Sequence, residues 1–195
     1  SLIDNGIKPK NKVALYLSDP IDFIEAYLAC YRLGIITIVL NHTWRKYEIN
    51  KAFNIISTDY IICNWKDKAL FKGQNTPILF IEELSKSHGS CYPSEISNKL
   101  SKDEIQSILF TSGSQGFPKP VCLSYNNFFQ SSLKWENKIN LNSNDNYILC
   151  LPLYHIGGLA IIMRALHIGF SINIMDDFKK NLYSDINLNV ISIVP

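Results

Sequence analysis

The stretch "VALYLSDPIDFIEAYLACYRLGIITIVL", residues 13–40, sets the fold class. Its first five residues are apolar and read as a buried strand over 13–17. Ser18 and Asp19 then offer a helix N-cap, and Pro20 suits the first helical position, where a missing N–H is harmless. Ile24, Tyr27, Leu28 and Tyr31 recur on one helical face, and Gly34 is a natural C-terminal stop. The closing "IITIVL" is rich in β-branched residues and predicts the next strand over 35–40.

The same alternation runs outward along the chain. A helix is expected over 44–56, followed by short strands at 59–63 and 77–81. Between 82 and 104 the sequence turns polar, which predicts a surface connection separating two α/β halves. Strands at 105–110 and 121–123 follow, then a helix over 125–138 with Ser124 as its cap. A strand at 147–151, a helix over 158–167 and strands at 171–175 and 190–194 complete the reading. Alternating strands and helices define an α/β class, with mainly parallel sheets flanked by helices.

Composition narrows the function classes. Apolar residues make up 47% and charged residues 18% of 195 residues, enough for a sizeable core. A net charge of +2, with Lys and Arg scattered, gives no electrostatic footprint for nucleic acid. The cysteines (Cys30, Cys63, Cys91, Cys122 and Cys150) are odd in number and widely spaced, which fits neither a disulfide framework nor a zinc site. Cys30, Cys63, Cys122 and Cys150 adjoin apolar runs and are expected as small core residues in a reducing cytoplasm. The opening residues lack the apolar centre of a signal peptide. The longest apolar stretch, "GGLAIIMRALHIGFSINIM", is interrupted by Arg164 and His167, against a membrane span. Asp176, Asp177 and Asp185 show no metal-ligand spacing and read as a solvated face.

Chemistry concentrates in "TSGSQGFPKPVCLSY", residues 111–125, which leaves the end of a predicted strand. Ligands of open parallel sheets sit beyond the carboxyl ends of strands. Gly113 and Gly116 let successive backbone N–H groups converge on an anion. Thr111, Ser112 and Ser114 add hydroxyls, Lys119 adds a cation, and Pro118 stiffens the approach to it. The spacing is neither that of a P-loop nor that of a dinucleotide fingerprint. On composition alone, a polyphosphate cradle and a solvated Ser/Gly hairpin both remain open.

The whole string resembles the signature loop of the adenylate-forming superfamily, roughly [ST]-S-G-[ST]-T-G-x-P-K-G. Thr111, Ser112, Gly113, Ser114, Gly116, Pro118 and Lys119 match, while Gln115 replaces a threonine and Pro120 a glycine. Pro120 removes a backbone donor and fixes φ. "GIKPKNKVALYLSDPIDFIEAYLACYRLGIITIVLN" is similar to the family's N-terminal region. "YILCLPLYHIGGL" is similar to the segment beside the acyl or aryl pocket. Its "PLYHIGGL" is particularly similar to the version in o-succinylbenzoate-CoA ligases of menaquinone or phylloquinone synthesis.

The resemblance implies an ATP-dependent, AMP-forming acid–CoA ligase, with ATP, Mg2+ and CoA as nucleotide, metal and co-substrate and a small carboxylic acid as the group activated. It implies phosphate contacts from Thr111, Ser112, Gly113, Ser114, Gln115, Gly116 and Lys119, with Lys119 catalytic. It further implies a catalytic and substrate-binding role for His155, with Gly157 and Gly158 keeping the pocket wall thin. Taken alone, His155 among apolar residues reads as a packed, hydrogen-bonded group. His42, His88 and His167 are expected to be structural or exposed. Residues 1–195 would form part of an AMP-binding N-terminal domain, with the rest of that domain and a small C-terminal domain absent and the piece alone inactive. Other acyl- or aryl-CoA synthetases, a peptide-synthetase adenylation domain and a non-catalytic nucleotide-binding or scaffolding piece are the alternatives, and homo-oligomerisation stays open.

Overall fold

In the computed structural model β1 (Lys12–Tyr16) leads into α1 (Pro20–Arg32), and β2 (Ile36–Val39) returns parallel to β1 with Lys12 opposite Ile36. The model describes residues 1–86, 101–112, 118–175 and 190–192, with Ser112 described by its backbone alone. Asp19 caps α1 as its position predicts: its carboxylate accepts from the backbone N–H of Ile21 at 2.9 Å and of Asp22 at 3.0 Å. Gly34 ends the helix with φ +68°, a conformation that an L side chain resists. The buried face of α1 differs from the predicted one. Phe23, Ala26, Tyr27 and Cys30 are buried, while Ile24, Leu28 and Tyr31 are only half-buried. Both stripes have helical spacing. The choice is made by the sheet below, where the Tyr27 hydroxyl donates to Gln106 Oε1 at 2.6 Å in a fully buried pair.

Residues 1–124 form one compact unit and residues 125–195 a second. The first holds a six-stranded sheet in the order β4-β3-β1-β2-β5-β6, with β3 (Tyr60–Cys63), β4 (Ile78–Phe80), β5 (Ile105–Ser112) and β6 (Pro118–Ser124). Strands β1 to β5 run parallel, and β6 is antiparallel to β5. Helix α2 (Lys46–Ile55) buries Ile49 and Ala52 in the core cluster that includes Ile38, Ile61 and Phe110. A 3-10 helix (Trp65–Phe71) and the single-turn α3 (Ile81–Leu84) were not foreseen from periodicity. Both are too short to show a repeat.

Three expectations change. The polar stretch at 82–104 begins with α3, and its residues 87–100, including His88 and Cys91, lie outside the described residues. It does not divide the sheet, because β5 returns beside β2, so the division between units falls after Ser124. The strand expected at 121–123 is longer and starts at Pro118. It can include Pro118 and Pro120 because β6 is an edge strand, where a proline nitrogen can face away from the ladder. For the same reason Cys122 is exposed rather than a core residue, whereas Cys30 and Cys63 are buried, with burial pushing both thiols up to about 12.

The second unit contains α4 (Tyr125–Ile139), β7 (Asn146–Leu149), α5 (Ile156–Ile168), β8 (Ser171–Ile174) and β9 (Val190–Ile191). Its three strands are parallel in the order β8-β7-β9. Residues 158–164 of α5 are all buried, so this helix is the centre of the unit. Gly169 stops it with φ +94°. Residues 176–189, with Asp176, Asp177 and Asp185, lie outside the description. No helix among the described residues is long and apolar enough to cross a membrane.

Candidate functional site

At the carboxyl end of β5 the ladder register places Thr111 opposite Lys119 and Ser112 opposite Pro118. Directly opposed residues of an antiparallel pair project to the same face. The Thr111 hydroxyl and the Lys119 side chain therefore share one face, and both residues are exposed. Thr111 Oγ1 donates to the Lys119 carbonyl at 3.4 Å, which ties the two strand ends together. The neighbouring Phe110 points to the other face, where it is buried edge-on against Trp44 with ring centroids 5.3 Å apart. One strand end thus anchors itself in the core and offers polar groups at the carboxyl edge of the parallel sheet. Gly113, Ser114, Gln115 and Gly116 lie outside the described residues. Among the described residues no three His, Cys, Asp or Glu side chains gather to hold a metal.

In the second unit His155 is the N-cap residue of α5, with extended backbone (φ −105°, ψ 149°) and no side-chain cap bond. Its backbone N–H donates to the Pro152 carbonyl at 3.1 Å, its ring lies 4.5 Å from that of Tyr154, and the residue is exposed. It is therefore not the packed core histidine that an apolar context alone would give. Gly158 has a geometric reason for its identity. A Cβ there would lie 2.4 Å from the Pro152 carbonyl oxygen and 2.6 Å from that of Leu151. At Gly157 the same atom would meet only the Leu151 Cδ1 methyl, at 3.1 Å. Close approach of α5 to the preceding turn demands the second glycine more than the first.

His42 and His167 are half-buried, and burial lowers the pKa of each. His167 Nδ1 lies 2.9 Å from the buried Ser132 Oγ, which links α5 to α4, and Phe129 meets the His167 ring edge-on. These contacts give His167 a packing role.

Arg164 escaped the sequence reading as a functional residue. It lies in α5 and is only 8% exposed. Its guanidinium carbon sits 4.2 Å from the centre of the Trp135 ring, and its Nε has no hydrogen-bond partner among the described residues. Burial lowers its pKa, opposed by Tyr147, but a guanidinium stays charged at neutral pH. Arg164 takes part in neither the Ser1–Asp4 nor the Lys10–Glu104 ion pair and has no carboxylate partner among the described residues. The signal was present in sequence as the single charge inside the longest apolar stretch.

An α/β sheet bearing hydroxyl and amine groups at the carboxyl edge of a parallel strand has the architecture of an enzyme that binds its ligands at strand ends. The chain belongs to the AMP-binding enzyme family, whose model matches residues 1–195. It is 26% identical over 176 residues to a 2-succinylbenzoate–CoA ligase of Bacillus mycoides, covering 90% of this chain and 35% of that protein. It is 26% identical over 192 residues to the enzyme of that name from Bacillus cytotoxicus, covering 96% of this chain and 39% of that one. Among solved structures it resembles the o-succinylbenzoate CoA synthetase of Bacillus subtilis in complex with the acyl-adenylate intermediate OSB-AMP. That match has a TM-score of 0.88 at 21% identity over 98% of this chain and 51% of that one. The same Bacillus subtilis enzyme with ATP and magnesium ion gives a TM-score of 0.86 at 19% identity, over 97% and 52%. The chain thus spans well under two thirds of the relatives it matches, and the structural likeness establishes the fold.

Proposed function

We propose that this chain contributes the phosphate-binding edge and part of the acid pocket of an ATP-dependent, AMP-forming acid–CoA ligase, with 2-succinylbenzoate as the acid. The Thr111–Lys119 register at the carboxyl end of β5, within a chain matched end to end by the AMP-binding family, carries this reading. In the first half-reaction a carboxylate oxygen attacks the α-phosphorus of ATP and pyrophosphate leaves. Charge then accumulates on the departing β- and γ-phosphates. Lys119, the hydroxyls of Thr111, Ser112 and Ser114, the Gln115 amide and the backbone N–H groups of Gly113 and Gly116 would hold that charge. Magnesium, when bound with the nucleotide, neutralises phosphate charge. In the second half-reaction the CoA sulfur displaces AMP from the acyl carbon, and the thiol proton is released. His155, Gly157 and Gly158 at the start of α5 would border the acid.

The test is ATP–pyrophosphate exchange by the full-length gene product. The reading expects exchange that depends on 2-succinylbenzoate, followed by AMP and thioester when CoA is added. Absence of exchange with this acid, together with exchange on an unrelated carboxylate, would overturn the substrate assignment. Absence with every acid would overturn the reaction.

A further inference from the structure

Phe110 is buried while Thr111, the next residue of β5, is exposed, and the Phe110 ring is met by a side chain from a different loop. Trp44, in the turn between β2 and α2, lies edge-on to it with the ring planes at 64°. The parallel register brings the two together. Val39 pairs with Leu109, so the chain leaving β2 rises beside Phe110 and Thr111. Successive side chains point to opposite faces of a sheet, so Trp44 grips one face of the strand end whose other face carries Thr111 and Lys119. A planar peptide joins Phe110 to Thr111, and a shift of the first is passed to the second.

The turn that carries Trp44 is itself braced. Asn41 Oδ1 accepts from the Thr43 N–H at 2.9 Å and from the Thr43 hydroxyl at 2.8 Å, and the Trp44 N–H donates to the Asn41 carbonyl at 3.0 Å. The Tyr16 hydroxyl, at the end of β1, lies 2.7 Å from the His42 carbonyl and 2.9 Å from the Trp44 carbonyl. Its one proton bridges both. Beyond Trp44 the Arg45 N–H donates to Glu48 Oε2 at 2.9 Å and opens α2. Burial alone would be met by any apolar side chain at position 44 and by a phenyl ring at position 16. The hydroxyl bridge fixes the direction of the turn, and with it the edge that the indole presents to Phe110.

We propose that Trp44, aimed by Tyr16, is a positioning residue for the phosphate edge, holding Phe110 so that Thr111 and Lys119 stand where nucleotide phosphates need them. This rests on the phosphate-binding role proposed above for that edge. Donors stabilise developing charge when they already stand in place, and small displacements cost rate. Trp44 and Tyr16 act through Phe110, not by touching the nucleotide.

The test measures ATP–pyrophosphate exchange with 2-succinylbenzoate, and calorimetric binding of ATP with magnesium, on the full-length gene product. Trp44→Leu keeps apolar volume and removes the aromatic edge, while Tyr16→Phe keeps the ring and removes the bridge. Each should lower kcat/KM for ATP by about tenfold and leave KM for the acid within about twofold, because His155 and Gly157 belong to the other unit. Trp44→Phe restores an aromatic edge and should recover most of the loss. A lower melting temperature with native kinetics would make the contact structural and overturn the proposal, as would KM values for ATP and acid that rise together. Should Trp44→Leu not fold, an ATP-specific loss in Tyr16→Phe would uphold the proposal and native kinetics in it would overturn it. Weakened ATP binding in both variants, with no exchange on any acid by the native protein, would remove the adenylation reading and leave the brace standing. Exchange by the native protein, with ATP binding and kinetics unchanged in both variants, would do the reverse.

Discussion

Thr111 and Lys119 face each other across the β5–β6 ladder, and the threonine hydroxyl donates to the lysine carbonyl at 3.4 Å. Eight residues separate them along the chain, yet the antiparallel return brings their side chains to one face. The lysine backbone is fixed in the ladder, while its exposed side chain remains free to reach an anion at this edge. Neither residue supports the core.

Lys119→Ala should therefore separate chemistry from folding. If Lys119 holds phosphate charge as proposed, its loss is expected to slow adenylation by about 100-fold. Because Lys119 is exposed, the urea midpoint should stay within error of the native protein. ATP–pyrophosphate exchange and a denaturation curve on the same preparation check both halves.

Gly158→Ala should be a folding defect. The added methyl would overlap the carbonyl oxygens of Pro152 and Leu151, at 2.4 and 2.6 Å, and backbone cannot swing aside as a side-chain tip can. The expected loss is about 2–3 kcal/mol, from overpacking. Gly157→Ala meets a movable leucine methyl at 3.1 Å and should cost less than about 1 kcal/mol. Urea unfolding of the pair gives the contrast, and equal losses would contradict the geometry.

Asp19→Ala removes the acceptor shared by the Ile21 and Asp22 N–H groups. Replacing a capping aspartate typically costs about 1 kcal/mol. Asp19→Asn should recover most of it, which distinguishes capping from a net charge effect.

Stability should also fall on mild acidification. Burial holds His167 below its ordinary pKa of 6.5, and burial is likewise the largest cause of the lowered value at His42. Between the depressed folded value and 6.5 the unfolded chain binds more protons, so stability rises with pH across that window. The contribution is complete above pH 6.5 and is lost as pH drops through the folded pKa. In His167→Gln, which can still hydrogen-bond Ser132, the urea midpoint should depend less steeply on pH between 7 and 5, a range on the order of the ordinary histidine titration.

Much of this molecule was legible one segment at a time. Residues 13–40 specified β1, α1 and β2 through alternation, a capping aspartate, Pro20 and Gly34, because each signal acts within a turn or two of its neighbours. The motif at 111–125 pointed to the family that the full-length match establishes. Packing against distant chain settled the rest. The face of α1 was chosen by Gln106 and Ser107, which lie far along the sequence. The strand read at 121–123 reaches back to Pro118 because β6 takes the sheet edge, where prolines are tolerated. Arg164 looked like an interruption of an apolar run, and only the fold revealed a buried cation stacked on Trp135 with no carboxylate partner among the described residues. Periodicity and capping are short-range and can be read from the chain, whereas register, helix rotation and the pairing of buried charge depend on which remote groups fill the space, and that is decided only on folding.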